Sequence, residues 1–343
     1  MACLFCYPIL TTLIYVEEFW NSNEGMRISI VVTGGAGFIG SYLVERLIND
    51  GYDVLCLDNF DNYYDPAIKR DNVTRFKNKE NFTLLKGDIL DRDMVHKALS
   101  GADCVFHLAA QAGVRASVKD PIKVHEINTA GTLNILQAAL DCGVRKVVYA
   151  SSSSVYGKVE HLPFDESHPR VPVSPYGLSK LMAEEYCRIF SEIYGLETVS
   201  LRYFTVYGPR MRPDLAISIF AKRALQNLPL EIFGSGEKTR DFTYIDDVVC
   251  ANVLAMKCNR GVFNIGSGHR ISVKELAELI IQLTGSRSKI VFREDARGDA
   301  QHTWANTDRA KAKLGWCSKV GIEEGLKRYI KWLTTRNSPG EKG

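Results

Sequence analysis

Ile28-Ser29-Ile30-Val31-Val32-Thr33 leads without a break into Gly34-Gly35-Ala36-Gly37-Phe38-Ile39-Gly40, after which Ile39, Leu43 and Leu47 recur on one helical face. The pattern is an apolar strand, a glycine loop and an amphipathic helix. Gly34, Gly37 and Gly40 stand at three-residue steps, and the spacing has a physical reason. Without a Cβ the chain can turn tightly and approach a pyrophosphate, while the helix N-terminus that follows offers unpaired N–H groups and partial positive charge. The next apolar run, Asp53–Asp58, ends on an acidic side chain. A carboxylate there accepts hydrogen bonds from a ribose 2′-hydroxyl and repels a 2′-phosphate. The unit therefore predicts a dinucleotide site selective for NAD over NADP.

Outward from this unit, short apolar runs at Phe82–Leu85, Cys104–Leu108, Val147–Ala150 and Thr198–Leu201 are separated by helical stretches such as Val124–Leu140 and Tyr176–Tyr194. Strands alternating with helices predict an α/β fold with a doubly wound parallel (Rossmann) sheet. Beyond Phe204 the elements shorten, with strands near Leu230–Phe233, Phe242–Ile245 and Val262–Ile265 and a helix opened by the capping box Ser272-x-x-Glu275. These predict a smaller C-terminal α/β lobe packed across a cleft. The expected organisation is a cofactor lobe over residues 26–203, a mainly substrate-binding lobe over 204–335 and a tail over 336–343. Met1 to Val16 carry no charge but fall short of the roughly 20 residues that span a bilayer. A secretory signal would need a basic leading region and a small-residue cleavage site, whereas there is no Lys or Arg before Arg27 and the segment runs into Glu17, Glu18 and Trp20. Residues 1–25 are expected to be a dispensable extension ahead of the start-like Met26-Arg27.

The composition fits this plan. A chain of 343 residues suggests two lobes at about 150 residues each. With 45% hydrophobic and 24% charged residues and a net charge of +3, disordered, collagenous and multi-span membrane classes are set aside, and no nucleic acid or other polyanionic partner is indicated. Nine cysteines, scattered except for Cys3-x-x-Cys6, predict reduced thiols in a cytoplasmic protein. No metal is expected, because that pair lacks a second pair and His107, His125, His161 and His302 stand at no ligand spacing.

Tyr176-Gly177-Leu178-Ser179-Lys180 places Tyr and Lys four residues apart, on one helix face. An ammonium beside a phenol favours the phenolate, which makes a base usable at neutral pH. Ser151-Ser152-Ser153-Ser154 follows the run Val147–Ala150, at the sheet edge where open α/β folds bind ligands. A hydroxyl there can share a proton with a substrate oxygen.

With these residues in place, the chain from Met26 to about Leu333 resembles the extended short-chain dehydrogenase/reductases of the sugar-nucleotide epimerase/dehydratase family. The resemblance rests on TGGAGFIGS at 33–41, GDI at 87–89, HLAAQ at 107–111, SSSSVYG at 151–157, YGLSK at 176–180, RYFTVYGP at 202–209 and RDFTYIDD at 240–247. It implies that Phe38 and Ile39 join the glycines at the NAD phosphates and that Asp58 and Asn59 serve the adenosine ribose. Asp88 and Ile89 would flank the adenine, and Leu108, Ala109, Ala110 and Tyr203 would line the cofactor path. Tyr176 would be the base, Lys180 would bind the nicotinamide ribose, Asn128 would support that lysine, and Ser152 would hydrogen-bond the sugar hydroxyl. A homodimer that pairs the helices Pro121–Leu140 and Tyr176–Tyr194 is also implied.

Dehydratases of this type carry Asp-Glu directly before the V-Y-G of the serine segment, since expelling a hydroxyl needs an acid and a base. Decarboxylases of UDP-glucuronate place a Glu in the second position. Here the two places are Ser153 and Ser154, which leave only oxidation machinery. The expected reaction is 4-epimerisation of a UDP sugar through a 4-keto intermediate reduced again on its other face. Tyr207-Gly208-Pro209-Arg210-Met211-Arg212-Pro213-Asp214 and Asp61-Asn62-Tyr63-Tyr64-Asp65 resemble the UDP-glucuronate 4-epimerases, as does Thr205 where hexose epimerases more often have Asn. Arg212 has a planar fork suited to a carboxylate, although arginine serves a phosphate as readily. Arg240 and Arg297 are expected to clamp the diphosphate, and Leu230–Phe233 to read the uracil. UDP-glucuronate is thus favoured over UDP-glucose; a dehydratase, a decarboxylase and a non-catalytic NAD-binding scaffold are the competing readings.

Overall fold

The structure, a computed structural model, describes residues 27–294 and 301–337. Seven parallel strands form its main sheet: β1 (Ser29–Thr33), β2 (Asp53–Asp58), β3 (Phe82–Lys86), β4 (Cys104–His107), β5 (Lys146–Ser152), β6 (Glu197–Tyr203) and β10 (Gly261–Ile265). Across the sheet they run β10-β6-β5-β4-β1-β2-β3. The order reverses between β1 and β4, which is where such sheets open a crevice at their carboxyl ends. The doubly wound fold expected from the sequence is present. One element sits elsewhere than expected: the strand at 261–265, assigned to the second lobe, pairs in parallel with β6 as an edge of the main sheet.

The smaller lobe is built on two short sheets. In one, β9 (Thr239–Tyr244) pairs in parallel with β7 (Thr205–Tyr207) and antiparallel with β11 (Arg270–Ser272); in the other, β8 (Leu230–Phe233) pairs in parallel with β12 (Ile290–Arg293). The helix that follows β11, Val273–Thr284, carries the expected capping box, with Ser272 and Glu275 each accepting the other's backbone N–H. One buried apolar cluster runs from Val32 and Leu43 through Leu201 and Tyr207 to Leu326 and Leu333, so the lobes share a core.

Three helices position the site. Helix α1 (Phe38–Asn49) follows β1 and buries Leu43, Val44, Leu47 and Ile48. The predicted helix around Asn128 is two α-helical pieces, Pro121–His125 and Gly131–Asp141, joined by a π-helical turn over Glu126–Ala130. Such single wide turns often mark functional sites. The catalytic-helix candidate, Pro175–Tyr194, starts where Ser174 accepts the Gly177 N–H (3.1 Å) ahead of Pro175, and stops at the left-handed Gly195.

That helix is fixed to the sheet by a buried ion pair. Glu184 receives Nε (3.1 Å) and Nη2 (2.6 Å) of Arg202 from β6, and the Ser151 hydroxyl from β5 at 2.7 Å. Both charged side chains are 2% exposed. Removing one partner strands a buried charge, whereas replacing both by apolar groups does not. Arg202→Met is therefore expected to cost about 3–5 kcal/mol in urea denaturation, and Glu184→Leu added to it to restore most of that loss. A double variant as unstable as the single would refute the ion-pair account.

Candidate active site

The glycine loop closes against the end of β4. Gly34 has a φ of +68°, and a Cβ there would stand 2.8 Å from the Ala109 nitrogen. A Cβ on Gly40 would strike the Gly34 carbonyl. Helix α1 follows Gly37 with no side-chain cap and no acidic residue in its first turn, so its N-terminal positive end is not neutralised by its own side chains. Beside the loop, the buried Asp58 accepts the Ala36 N–H at 3.0 Å and the Phe60 N–H at 2.8 Å. Burial pushes its carboxyl upward, against Lys69 and the two backbone donors. Asn59 donates to Asp88 at 2.8 Å, and Ile89 is buried behind them. An open helix end, glycines that bar any Cβ and a carboxylate at the end of β2 together fit an NAD cradle.

Behind the loop runs a chain of hydrogen bonds whose direction can be followed. Thr132 donates to the Asn128 carbonyl (2.6 Å), so its oxygen accepts from Nε2 of His107 (2.9 Å). Nδ1 of His107 then accepts from Thr33 (2.7 Å), whose oxygen accepts the Ala109 N–H (3.2 Å). His107 is thereby held neutral, and burial, with a smaller contribution from Lys180, pushes its pKa down to about 3. Leu108, Ala109 and Ala110 remain half-buried at this strand end. Asn128, in the π-helical turn, accepts the Gln111 N–H (2.7 Å) and donates to the Gln111 carbonyl (3.1 Å) and to Ser179 (3.0 Å). Its side chain thus reaches the neighbour of Lys180, where support of the lysine itself was expected.

Lys180 donates to the Ala150 carbonyl at 2.8 Å and lies over the Tyr149 ring, 5.0 Å from its centroid. The aromatic face partly offsets the loss of water around the ammonium. Burial still pushes the lysine down to about 7. Tyr176 is moved upward by burial, and the influences that oppose this are a hydrogen bond with Ser152 and then the charge of Arg212. The sequence reading gave that acidifying part to Lys180; in the folded protein, burial disfavours the charged form of both groups. Ser152 accepts the Ser154 N–H (3.1 Å) and donates to the Ser154 hydroxyl (3.2 Å), with Ser153 half-buried between them.

On the substrate side, Arg212 is held by Asp214 through Nε (3.0 Å) and Nη2 (3.2 Å) and lies over the Tyr63 ring at 5.5 Å. Thr205 is half-buried at the start of β7. Arg240 donates to the carbonyls of Thr239 (2.9 Å) and Gln301 (3.3 Å). Arg297, like residues 1–25, lies outside the described residues. Tyr203 turns its phenol into the core, donating to Asn252 at 2.8 Å, so only its ring and backbone are left to meet a cofactor. Sequence reasoning missed Glu184, which continues the Tyr176 and Lys180 face at the same four-residue step. It also missed Tyr149, whose ring lies under the Lys180 ammonium.

The chain belongs to the NAD dependent epimerase/dehydratase family, whose model matches residues 30–266. Its relatives narrow the class to NAD-dependent 4-epimerases of UDP sugars. The UDP-glucuronate 4-epimerase of Thermodesulfobacterium geofontis is 38% identical over 307 residues, covering 88% of this chain and 95% of its own. Among solved structures, the UDP-glucose 4-epimerase of Thermotoga maritima, with UDP-glucose, superposes with a TM-score of 0.85 at 38% identity over 91% of this chain and 100% of its own. The UDP-glucuronic acid 4-epimerase of Bacillus cereus, in complex with UDP-glucuronic acid and NAD, gives 0.86 at 35% identity over 90% and 100%. Among the described residues no helix is long and apolar enough to cross a membrane.

The lowered lysine carries a stability consequence. Between about pH 7 and its ordinary value of 10.5, Lys180 is neutral when folded and protonated when unfolded. The unfolded chain then binds more protons, so this residue makes stability rise with pH across that window. Lys180→Met should remove the rise: in denaturation of protein stripped of NAD, its stability relative to the parent is expected to be greatest at pH 6 and to shrink steadily toward pH 9. A difference independent of pH would contradict the buried-lysine assignment.

Proposed function

We propose that this protein, an NAD-dependent UDP-sugar 4-epimerase by its family and relatives, takes UDP-glucuronate in preference to UDP-glucose and interconverts it with UDP-galacturonate. The observation that carries the preference is Arg212. Its fork stands on the Tyr63 ring near enough to the candidate base for its charge to act on Tyr176. A carboxylate at C6 of the sugar would meet that fork while the 4-hydroxyl meets the phenol. Ser153 and Ser154, hydroxyls where a dehydratase needs an acid and a base, favour a reaction that stops at the ketone and reverses.

In this reading, Tyr176 takes the proton of the 4-hydroxyl and later returns one to the 4-keto oxygen, and Ser152 steadies that oxygen on both passes. NAD, when bound, supplies the hydride acceptor and donor at C4. Lys180 donates to the Ala150 carbonyl and holds a cofactor ribose. Gly34, Gly37, Gly40, Asp58 and Asp88 hold the rest of the cofactor, so residues 26–203 serve mainly NAD and 204–335 mainly the sugar nucleotide, with Arg240 and Arg297 on its diphosphate. The free thiols of the described cysteines suit a cytoplasmic protein.

Incubated separately with UDP-glucuronate and UDP-glucose and followed by proton NMR, the protein is expected to convert the uronate faster. Tyr176→Phe should lower turnover by about 10²- to 10⁴-fold, the usual worth of a positioned acid–base group. Arg212→Ala should raise KM for the uronate more than for glucose. Faster conversion of UDP-glucose would remove the preference and leave the reaction class. The homodimer belongs to the same proposal. Ile122 (70% exposed) and Leu178 (50% exposed) lie on packed neighbouring helices, and Ile193 (69% exposed) stands near the far end of the second. Apolar side chains this exposed on adjoining helices suit a partner face. Light scattering should report a dimer for the parent and a monomer for Ile122→Asp combined with Leu178→Asp; a parent mass of one chain would overturn the dimer.

A further inference from the structure

Asp214 occupies the groups of Arg212 that a substrate carboxylate would need. Both oxygens of Asp214 face the guanidinium, one at 3.0 Å from Nε and the other at 3.2 Å from Nη2. This is the two-point geometry by which arginine recognises any carboxylate. The arrangement is built from both lobes. Tyr63, in the loop after β2, donates its phenol to Asp214 at 3.1 Å and places its ring under the arginine. Room for that phenol comes from Gly113, where a Cβ would collide with the Tyr63 hydroxyl. The Arg212 side chain is only 19% exposed, so water does little to compensate its charge, whereas Asp214, at 39%, can turn toward solvent.

We infer that Asp214 is a specificity-determining residue, an internal carboxylate that competes with the C6 carboxylate of a uronate for Arg212 and keeps the arginine partnered when the sugar is neutral. The inference rests on the uronate reading of Arg212. A uronate exchanges one carboxylate for another and gains only the difference. A neutral hexose offers a hydroxymethyl group, which cannot match a charge, so Asp214 stays in place and the half-buried guanidinium is not left alone. Asp214 thereby narrows the gap between the two substrate classes, weakening the uronate and sparing the hexose.

The test measures binding of UDP-glucuronate and UDP-glucose by titration calorimetry to the NAD-loaded protein and to Asp214→Asn and Asp214→Glu. Steady-state KM and kcat for each sugar are measured alongside. Asp214→Asn should shift the ratio of the two dissociation constants toward the uronate by about fivefold, with KM moving in the same sense, as expected for loss of a competing part-exposed pair. Asp214→Glu, which keeps the charge but changes the shape, should return the ratio toward the parent. A ratio within about twofold of the parent in the Asn variant, equal loss for both sugars, or a Glu variant shifted as far as Asn would overturn the inference. The parent's own turnover of the two sugars reads the proposed substrate separately: if it favours UDP-glucose, that reading fails, while the variant-to-parent ratio still decides the part played by Asp214.

Discussion

The rotation of one helix about its own axis governs this site, and the buried pair between Glu184 and Arg202 sets it. Tyr176, Lys180 and Glu184 recur at four-residue steps on Pro175–Tyr194, and residues so spaced share a face. A helix packed only by apolar contacts can slide and turn at modest cost, because such contacts have no direction. A two-point bond between a carboxylate and a guanidinium has direction. Arg202 lies on β6 and Ser151 on β5, so Glu184 is held by two neighbouring strands at once. Ser151 is followed directly by Ser152. The strand that anchors the helix therefore also presents the hydroxyl that meets Tyr176, and phenol, lysine and serine are positioned as one body.

Burial then decides the electrostatics. Both Tyr176 and Lys180 are driven toward their neutral forms by loss of water. In water the two charged forms would be mutually stabilising; in a low dielectric each must be favoured by something else. For the lysine these are the Ala150 carbonyl and the Tyr149 ring. For the phenol they are Ser152 and Arg212. In the proposed reading the base is thus tuned by the residues that would touch the sugar, and recognition and acid–base strength would be coupled through charge as well as position.

This division explains what could be read from sequence. The glycine loop, Asp58 and the strands were legible because each depends on neighbours in the chain: a turn needs its glycine locally, and a strand shows its own periodicity. The place of Gly261–Ile265 was not, since a short apolar strand does not say which sheet it joins, and this one crosses back to pair with β6. The π-helical turn around Asn128 left no local mark either. The shared helix face of Tyr176 and Lys180 was legible in their spacing, but the burial that pushes both toward their neutral forms was not, because burial is a property of the whole fold. Arg212 and Asp214 stand two residues apart in plain view; what makes them a pair above an aromatic ring is Tyr63, 151 positions before Asp214.

The loop that carries Arg212 is tied to the cofactor helix as well. Arg210, just before it, adopts the left-handed backbone conformation (φ +63°) that non-glycine residues seldom take. The cost is met by where its side chain goes. It is buried against α1, with its guanidinium 4.1 Å over the Tyr42 ring and ion-paired with Glu45. The turn at Arg210 sends two arginines of one loop in different directions, Arg210 to α1 and Arg212 to the Tyr63 ring at the substrate side. Helix α1 is the helix whose uncapped N-terminus fits a phosphate cradle. A displacement of that helix must therefore pull on the loop that holds Arg212, and the glycine loop and Arg212 belong to one mechanical unit although they come from different lobes.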